Sequence, residues 1–139
     1  MGAGGEPALT ITNTGNYNNE GTGSGCGDGG NGIFIYAGGS GNTHEYCDIS
    51  HNKLHDNAKS GFWTKMMLSK SNITNNEVWG NGDGAGITDD VQGGIILRCK
   101  KSSNNIIADN NVSNNVGTDA GYGIYVGGCN NIIRNNTVV

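Results

Sequence analysis

The sequence predicts an all-β solenoid, built from short parallel strands stacked in layers. Three observations predict it. The phrase Ile-x-x-Asn-x-(apolar) occurs at Ile49/Asn52/Leu54, Ile73/Asn76/Val78, Ile107/Asn110/Val112 and Ile133/Asn136/Val138. A second phrase, Gly-(apolar)-x-(apolar or Thr), precedes each copy: GIFI from Gly32, GFWT from Gly61, GIIL from Gly94 and GIYV from Gly123. Glycine supplies 26 of 139 residues, with one proline and no three-residue period, a composition that asks for many turns between short strands and excludes a collagen-like chain.

Each element follows from side-chain direction. In GIFI the glycine leaves a turn, Ile33 and Ile35 point one way and Phe34 the other, which is the period of a strand. In Ile-x-x-Asn-x-Leu the two apolar residues both face inward only if the chain bends between them. Asn is expected at that bend because it tolerates the left-handed conformation and bonds its own backbone. Each repeat therefore reads strand, loop, strand, Asn corner, strand, loop. The first phrase recurs at offsets of 24, 34 and 26 residues, as one period with a loop of variable length would.

Such a unit cannot bury its apolar side alone, so copies stack about 4.8 Å apart with like residues over like. Asn52, Asn76, Asn110 and Asn136 are expected to form a side-chain ladder through about four to five rungs. Residues 1–31 read as an irregular N-terminal segment with at most a partial first rung through Leu9 and Ile11. Residues 32–139 carry the repeats, incomplete at the C-terminal end. Neither end reads as a cap, so the chain is expected to be a fragment of a longer solenoid, or to self-associate end to end through its uncapped rungs.

Composition narrows the partners. The formal charge is -4 and no dense basic face exists beyond Arg98, Lys100 and Lys101, so nucleic acid is not expected. No apolar run approaches a membrane span, and the start MGAGGEPALT lacks the basic end and apolar middle of a signal peptide. Cys26, Cys47, Cys99 and Cys129 show no C-x-x-C spacing, which speaks against zinc and for small buried side chains with at most one disulfide.

The alternating Gly phrases and Ile-x-x-Asn-x-(apolar) phrases resemble the repeats of the pectate-lyase-like superfamily, which includes polygalacturonases, alginate and chondroitin lyases and mannuronan epimerases. The resemblance covers residues 32–139. It implies a right-handed single-stranded parallel β-helix in an extracellular or cell-surface setting. GIFI, GFWT, GIIL and GIYV look like the strand called PB1, followed by turn T1; the Ile-x-x-Asn-x-(apolar) phrase looks like PB2, turn T2 and PB3, closed by a variable turn T3.

The resemblance also implies where a site lies. Family members bind polysaccharide in a groove outside PB1, walled by T1 and T3. The outward PB1 positions here are Phe34 and Tyr36, Trp63 and Lys65, Ile96 and Arg98, Tyr125 and Gly127. Phe34, Tyr36, Trp63 and Tyr125 would offer flat faces to sugar rings, and Lys65 and Arg98 would meet the charges of an acidic polysaccharide. The long segment WGNGDGAGITDDVQG brings Asp83, Asp89 and Asp90, candidate ligands for Ca²⁺.

In the lyase reading, Lys65 and Arg98 are the catalytic pair for β-elimination on a polyuronate: a base removes the C5 proton beside a carboxylate neutralised by a cation. A hydrolase needs paired carboxylates; Thr88-Asp89-Asp90 resembles those of polygalacturonases, but the partner Asp, His and Arg-x-Lys signatures are missing. The DPH-type epimerase motif is missing too. The alternative is a non-catalytic structural, adhesion or surface module. His44, His51 and His55 read as solvated turn residues. Asn72-Ile-Thr, Asn111-Val-Ser and Asn135-Asn-Thr match the glycosylation sequon, but corner positions favour a structural role for them.

Overall fold

The computed structural model describes residues 9–17, 19, 30–36, 43–65, 67–84, 91–117 and 121–139. The strands wind through five layers. The first layer holds β1 (Leu9–Thr12) and β2 (Gly15–Tyr17). The second holds β3 (Ile33–Ile35), β4 (Thr43–Glu45), β5 (Cys47–Ser50) and β6 (Lys53–His55), and the third β7 (Phe62–Thr64), β8 (Met67–Ser69), β9 (Asn72–Thr74) and β10 (Glu77–Trp79). The fourth holds β11 (Gln92–Ser103), β12 (Ile106–Ala108) and β13 (Asn111–Ser113), and the fifth β14 (Gly121–Cys129), β15 (Ile132–Arg134) and β16 (Thr137–Val138).

Strands pair in parallel with their counterparts one layer away, giving the sheets β1-β5-β9-β12-β15, β2-β6-β10-β13-β16, and a third in which β3 and β7 meet β11 and β14. This is a parallel β-helix. The register puts Ile11, Ile49, Ile73, Ile107 and Ile133 in one inward column and Leu54, Val78, Val112 and Val138 in another. Ile49, Ile73 and Ile107 are fully buried, each contributing about 1.5–3 kcal/mol of hydrophobic stabilisation. Ile133 and Val138, in the fifth layer, have no such cover and are exposed.

The glycines before β3, β7, β11 and β14 have a steric reason. A Cβ on Gly61 or Gly123 would strike Cγ1 of the valine across the same rung, Val78 or Val138; on Gly94 it would reach Val112 Cγ1 at 2.6 Å. Gly32 is closed by the Gly61 carbonyl oxygen at 2.6 Å. The chain thus enters PB1 against PB3 with no space for a side chain.

Two expectations are corrected. Each full rung carries a further strand between PB1 and PB2, namely β4, β8 or the distal part of β11, where the sequence suggested only a loop. Thr43-His44-Glu45 has no hydrophobic alternation to read. The bend residue also differs: His51, Asn75, Asp109 and Asn135, each immediately before the ladder asparagine, hold the left-handed conformation with φ of 58°, 55°, 58° and 53°. That twist turns the next side chain inward.

The interior therefore holds more than one ladder. At the expected corner Asn52, Asn76, Asn110 and Asn136 stack, with Thr14 before them. Asn76 shows the unit: its Oδ1 accepts from the Asn52 N–H at 3.0 Å and Nδ2–H at 3.0 Å, while its Nδ2 donates to the Ile49 carbonyl and to Asn110 Oδ1. Every amide valence is used. A second column runs Asn19, Asn57, Asn81, Asn115, and a third Cys47, Ser71, Asn105, Asn131.

Candidate functional site

The outward PB1 column forms in the expected register: Phe34, Trp63, Ile96 and Tyr125 lie opposite one another on successive strands. Phe34 stacks on Trp63 with ring centroids 5.1 Å apart, and Ile96 separates Trp63 from Tyr125, which instead meets Tyr122 edge-on at 5.2 Å. Exposure does not follow the column. Trp63 is 1% exposed and Ile96 0%, although neither belongs to the inner hydrophobic cluster. The buried Lys59 sets its Nζ 5.8 Å from the Trp63 ring. The flat side chains open to solvent on this face are Tyr36 and, in part, Phe34 and Tyr125.

Lys65 and Arg98 follow Thr64 and Leu97, which are paired, so the two bases leave adjacent rungs at one level. Both are half-buried, and Lys65 Nζ stands 5.4 Å over the Tyr36 ring. After Leu97 the β11–β14 register shifts until Ser102, so residues 98–101 bulge out of the sheet. Arg98 thus opens a bulge that also carries Cys99 and the exposed Lys100 and Lys101, a basic lip beside PB1. Arg98, Lys100 and Lys101 are already close in the sequence, and the register shift sets them out as a lip.

The acidic residues fall elsewhere. Asp89 and Asp90 lie outside the described residues. Asp83 is exposed and lines a cavity of about 430 Å³ with Asp56, Asn57, Gly80 and Gly84, at the corner following PB3. Among the described residues no group of three or more His, Cys, Asp or Glu side chains is placed to hold a metal ion.

The histidines part company. His51 is an exposed corner residue, and the buried Nε2 of His44 makes no hydrogen bond. His55 is not a plain turn residue: it lies between Tyr17 at 5.2 Å and Trp79 at 4.2 Å, with ring planes within 10° and 6° of parallel, and its Nδ1 is 2.8 Å from Asp56 Oδ2. The register of β2, β6 and β10 had already aligned Tyr17, His55 and Trp79, two residues after the aligned Gly15, Lys53 and Glu77. Alternation along PB3, applied as it was along PB1, was the signal for this column.

Cys47, Cys99 and Cys129 are free thiols, and Cys26 lies outside the described residues. Burial pushes the Cys47 thiol up, partly offset by its hydrogen bond with Ser71. The sequon residues Asn72 and Asn111 begin β9 and β13 and Asn135 is a corner; all three are exposed and none stands in a ladder.

A family model described as a right handed beta helix region matches residues 4–139, nearly the whole chain. No curated protein and no solved structure matches the chain. Stacked parallel sheets, buried asparagine columns and this match agree, and the chain belongs to the right-handed β-helix family.

Proposed function

We propose that this β-helix is an extracellular or cell-surface module that binds an acidic polysaccharide along the lip between PB1 and T1. The observation that carries the reading is the concentration of Lys65, Arg98, Lys100 and Lys101 at one rim of a protein whose net charge is -4, next to the open ring of Tyr36. A carboxylated or sulfated chain would meet cations in bidentate or point contacts and lay an apolar sugar face on tyrosine.

The resemblance to polyuronate lyases extends this to chemistry. Lys65 or Arg98 would take the C5 proton of a uronate, and a Ca²⁺ ion held by Asp89 and Asp90 would neutralise its carboxylate. A second reading, a non-catalytic module of the same fold, is favoured by the closure of Trp63 and Ile96, which shortens the sugar-facing surface.

The test incubates the protein with polygalacturonate, alginate and chondroitin, with and without calcium, and follows the ultraviolet absorbance of unsaturated uronate. Absorbance that rises and is lost in a Lys65→Ala/Arg98→Ala variant supports the lyase. Retention on immobilised polyuronate without absorbance, reduced by the same variant, leaves the binding module; no retention sinks both.

A further inference from the structure

The second aromatic column lies on a different sheet from PB1 and has a chemistry of its own. Tyr17, His55 and Trp79 stack like coins along the helix axis. The next residue in register is Ser113, so no ring stacks on the far side of Trp79 among the described residues, and the indole is half-exposed. At the other end Tyr17 is 57% exposed. Among the described residues no further ring caps either end of the stack, and such ring faces pack against the apolar face of a pyranose.

The corner beside this stack is a cavity of about 430 Å³, within the range of ligand pockets. It carries two carboxylates, Asp56 and Asp83. Asp56 is oriented by the stack itself, because His55 Nδ1–H donates to its Oδ2. Its other oxygen is kept open by Gly80: a Cβ there would lie 2.7 Å from Asp56 Oδ1. Gly80 has φ of 62°, at a corner where the rung before has Asp56 and the rung after Asn114. Any other residue would place a side chain over this acceptor. Lys53, at the start of the same strand as His55, is drawn to Glu77 at 3.8 Å.

We propose that the Tyr17–His55–Trp79 stack and the Asp56/Asp83 cavity form a saccharide site for amine-bearing sugars, with the indole of Trp79 as platform and the carboxylates as acceptors for a protonated amine. The two groups are adjacent in sequence at successive rungs, His55 preceding Asp56 and Trp79 preceding Gly80, and the cavity runs from Asp56 in the second layer to Asp83 after the third. Ammonium–carboxylate hydrogen bonds are charge-assisted, and the carboxylates repel a uronate. The site is therefore opposite in charge preference to the PB1 lip and does not rest on that reading.

The experiment titrates the protein with oligomers of β-1,4-linked glucosamine, of glucose and of galacturonate, read by calorimetry and by tryptophan fluorescence, where Trp79 responds and the buried Trp63 does not. The glucosamine oligomer is expected to bind roughly tenfold or more tighter than the glucose oligomer, with galacturonate weakest. Trp79→Ala and Asp83→Asn each lose most of that affinity, Trp79→Phe keeps part of it, and Lys65→Ala/Arg98→Ala leaves it unchanged. Asp56→Asn serves beside Gly80→Ala, since alanine at a positive φ also strains the corner. Equal affinity for glucose or galacturonate oligomers, unchanged affinity in Trp79→Ala and Asp83→Asn, or no binding of glucosamine would overturn the assignment.

Discussion

Two outward columns on this solenoid obey one rule and end differently. On PB1 Phe34, Trp63, Ile96 and Tyr125 fall in register, and the middle two are shut off from solvent. On PB3 Tyr17, His55 and Trp79 fall in register, with Tyr17 exposed, His55 and Trp79 partly so, and Ser113 beyond them. Parallel stacking aligns equivalent positions on any strand face, so membership of a column is a property of the repeat. Exposure is a property of what the intervening segments lay over it. An aromatic column is thus a place to look for a ligand only where its ring faces or edges remain free.

The sharpest way to break this contrast is to truncate the two indoles. Trp63→Ala should cost about 3–5 kcal/mol of stability in denaturant unfolding, because a fully buried ring leaves a cavity, whereas Trp79→Ala should cost about 1 kcal/mol. Equal costs would show that the two columns are covered alike. The same inward and outward logic applies to asparagine. Asn76→Ala strips partners from Asn52, from the Ile49 carbonyl and from Asn110, and should cost about 3 kcal/mol or more, against near zero for the exposed Asn72→Ala.

Glycine gives a smaller contrast between the same two sheets. Gly94→Ala, at the entry to PB1, must displace Val112 and the Gly123 carbonyl and should lower stability by about 1–3 kcal/mol. Gly15→Ala, at the start of the PB3 column, meets nothing within 4 Å and should be neutral or slightly stabilising by thermal melt. A buried hydroxyl gives an effect of the opposite sign. Thr64 points into the core between Ile35 and Leu97 with its hydroxyl unbonded, so Thr64→Val should raise stability by about 1 kcal/mol. A loss would mean that the hydroxyl has a partner in solution.

Thiol labelling checks the same picture without mutation. Cys129 is exposed, Cys99 half-buried and Cys47 buried with its thiol pushed up by desolvation, so Cys47 should be the last of the three to react at neutral pH. Thiolate is the reactive form, and a raised value makes it scarcer there. Reaction of Cys47 together with Cys129 would indicate that the second layer opens readily.

Much of the fold was legible because a solenoid writes its three-dimensional neighbours as repeated phrases. Ile49, Ile73 and Ile107 are neighbours in space and occupy one position of one phrase. The phrase predicts one ladder and three stand among the described residues, because Asn57 and Asn81 follow Asn52 and Asn76 by five residues, a shorter period nested inside the longer one. Five residues separate successive corners, His51 from Asp56 and Asn75 from Gly80, and this spacing was present in the text. The candidate site was less legible. Lys65 and Arg98 could be placed at one level, but the bulge that gathers Arg98, Lys100 and Lys101 arises from a register shift against β14.

The sequence by itself determined the stacking: glycines that admit no Cβ, inward Ile and Val, and asparagines whose amides bond to copies of themselves and to backbone groups one layer away. These are local requirements repeated at intervals, and a linear text records them. Only the tertiary structure decided that Trp63 is buried while Trp79 is open, and that Asp56, oriented by His55, shares a cavity with Asp83 from the next rung. Those outcomes depend on how residues from different rungs and turns meet at the surface, and no repeat period carries that information.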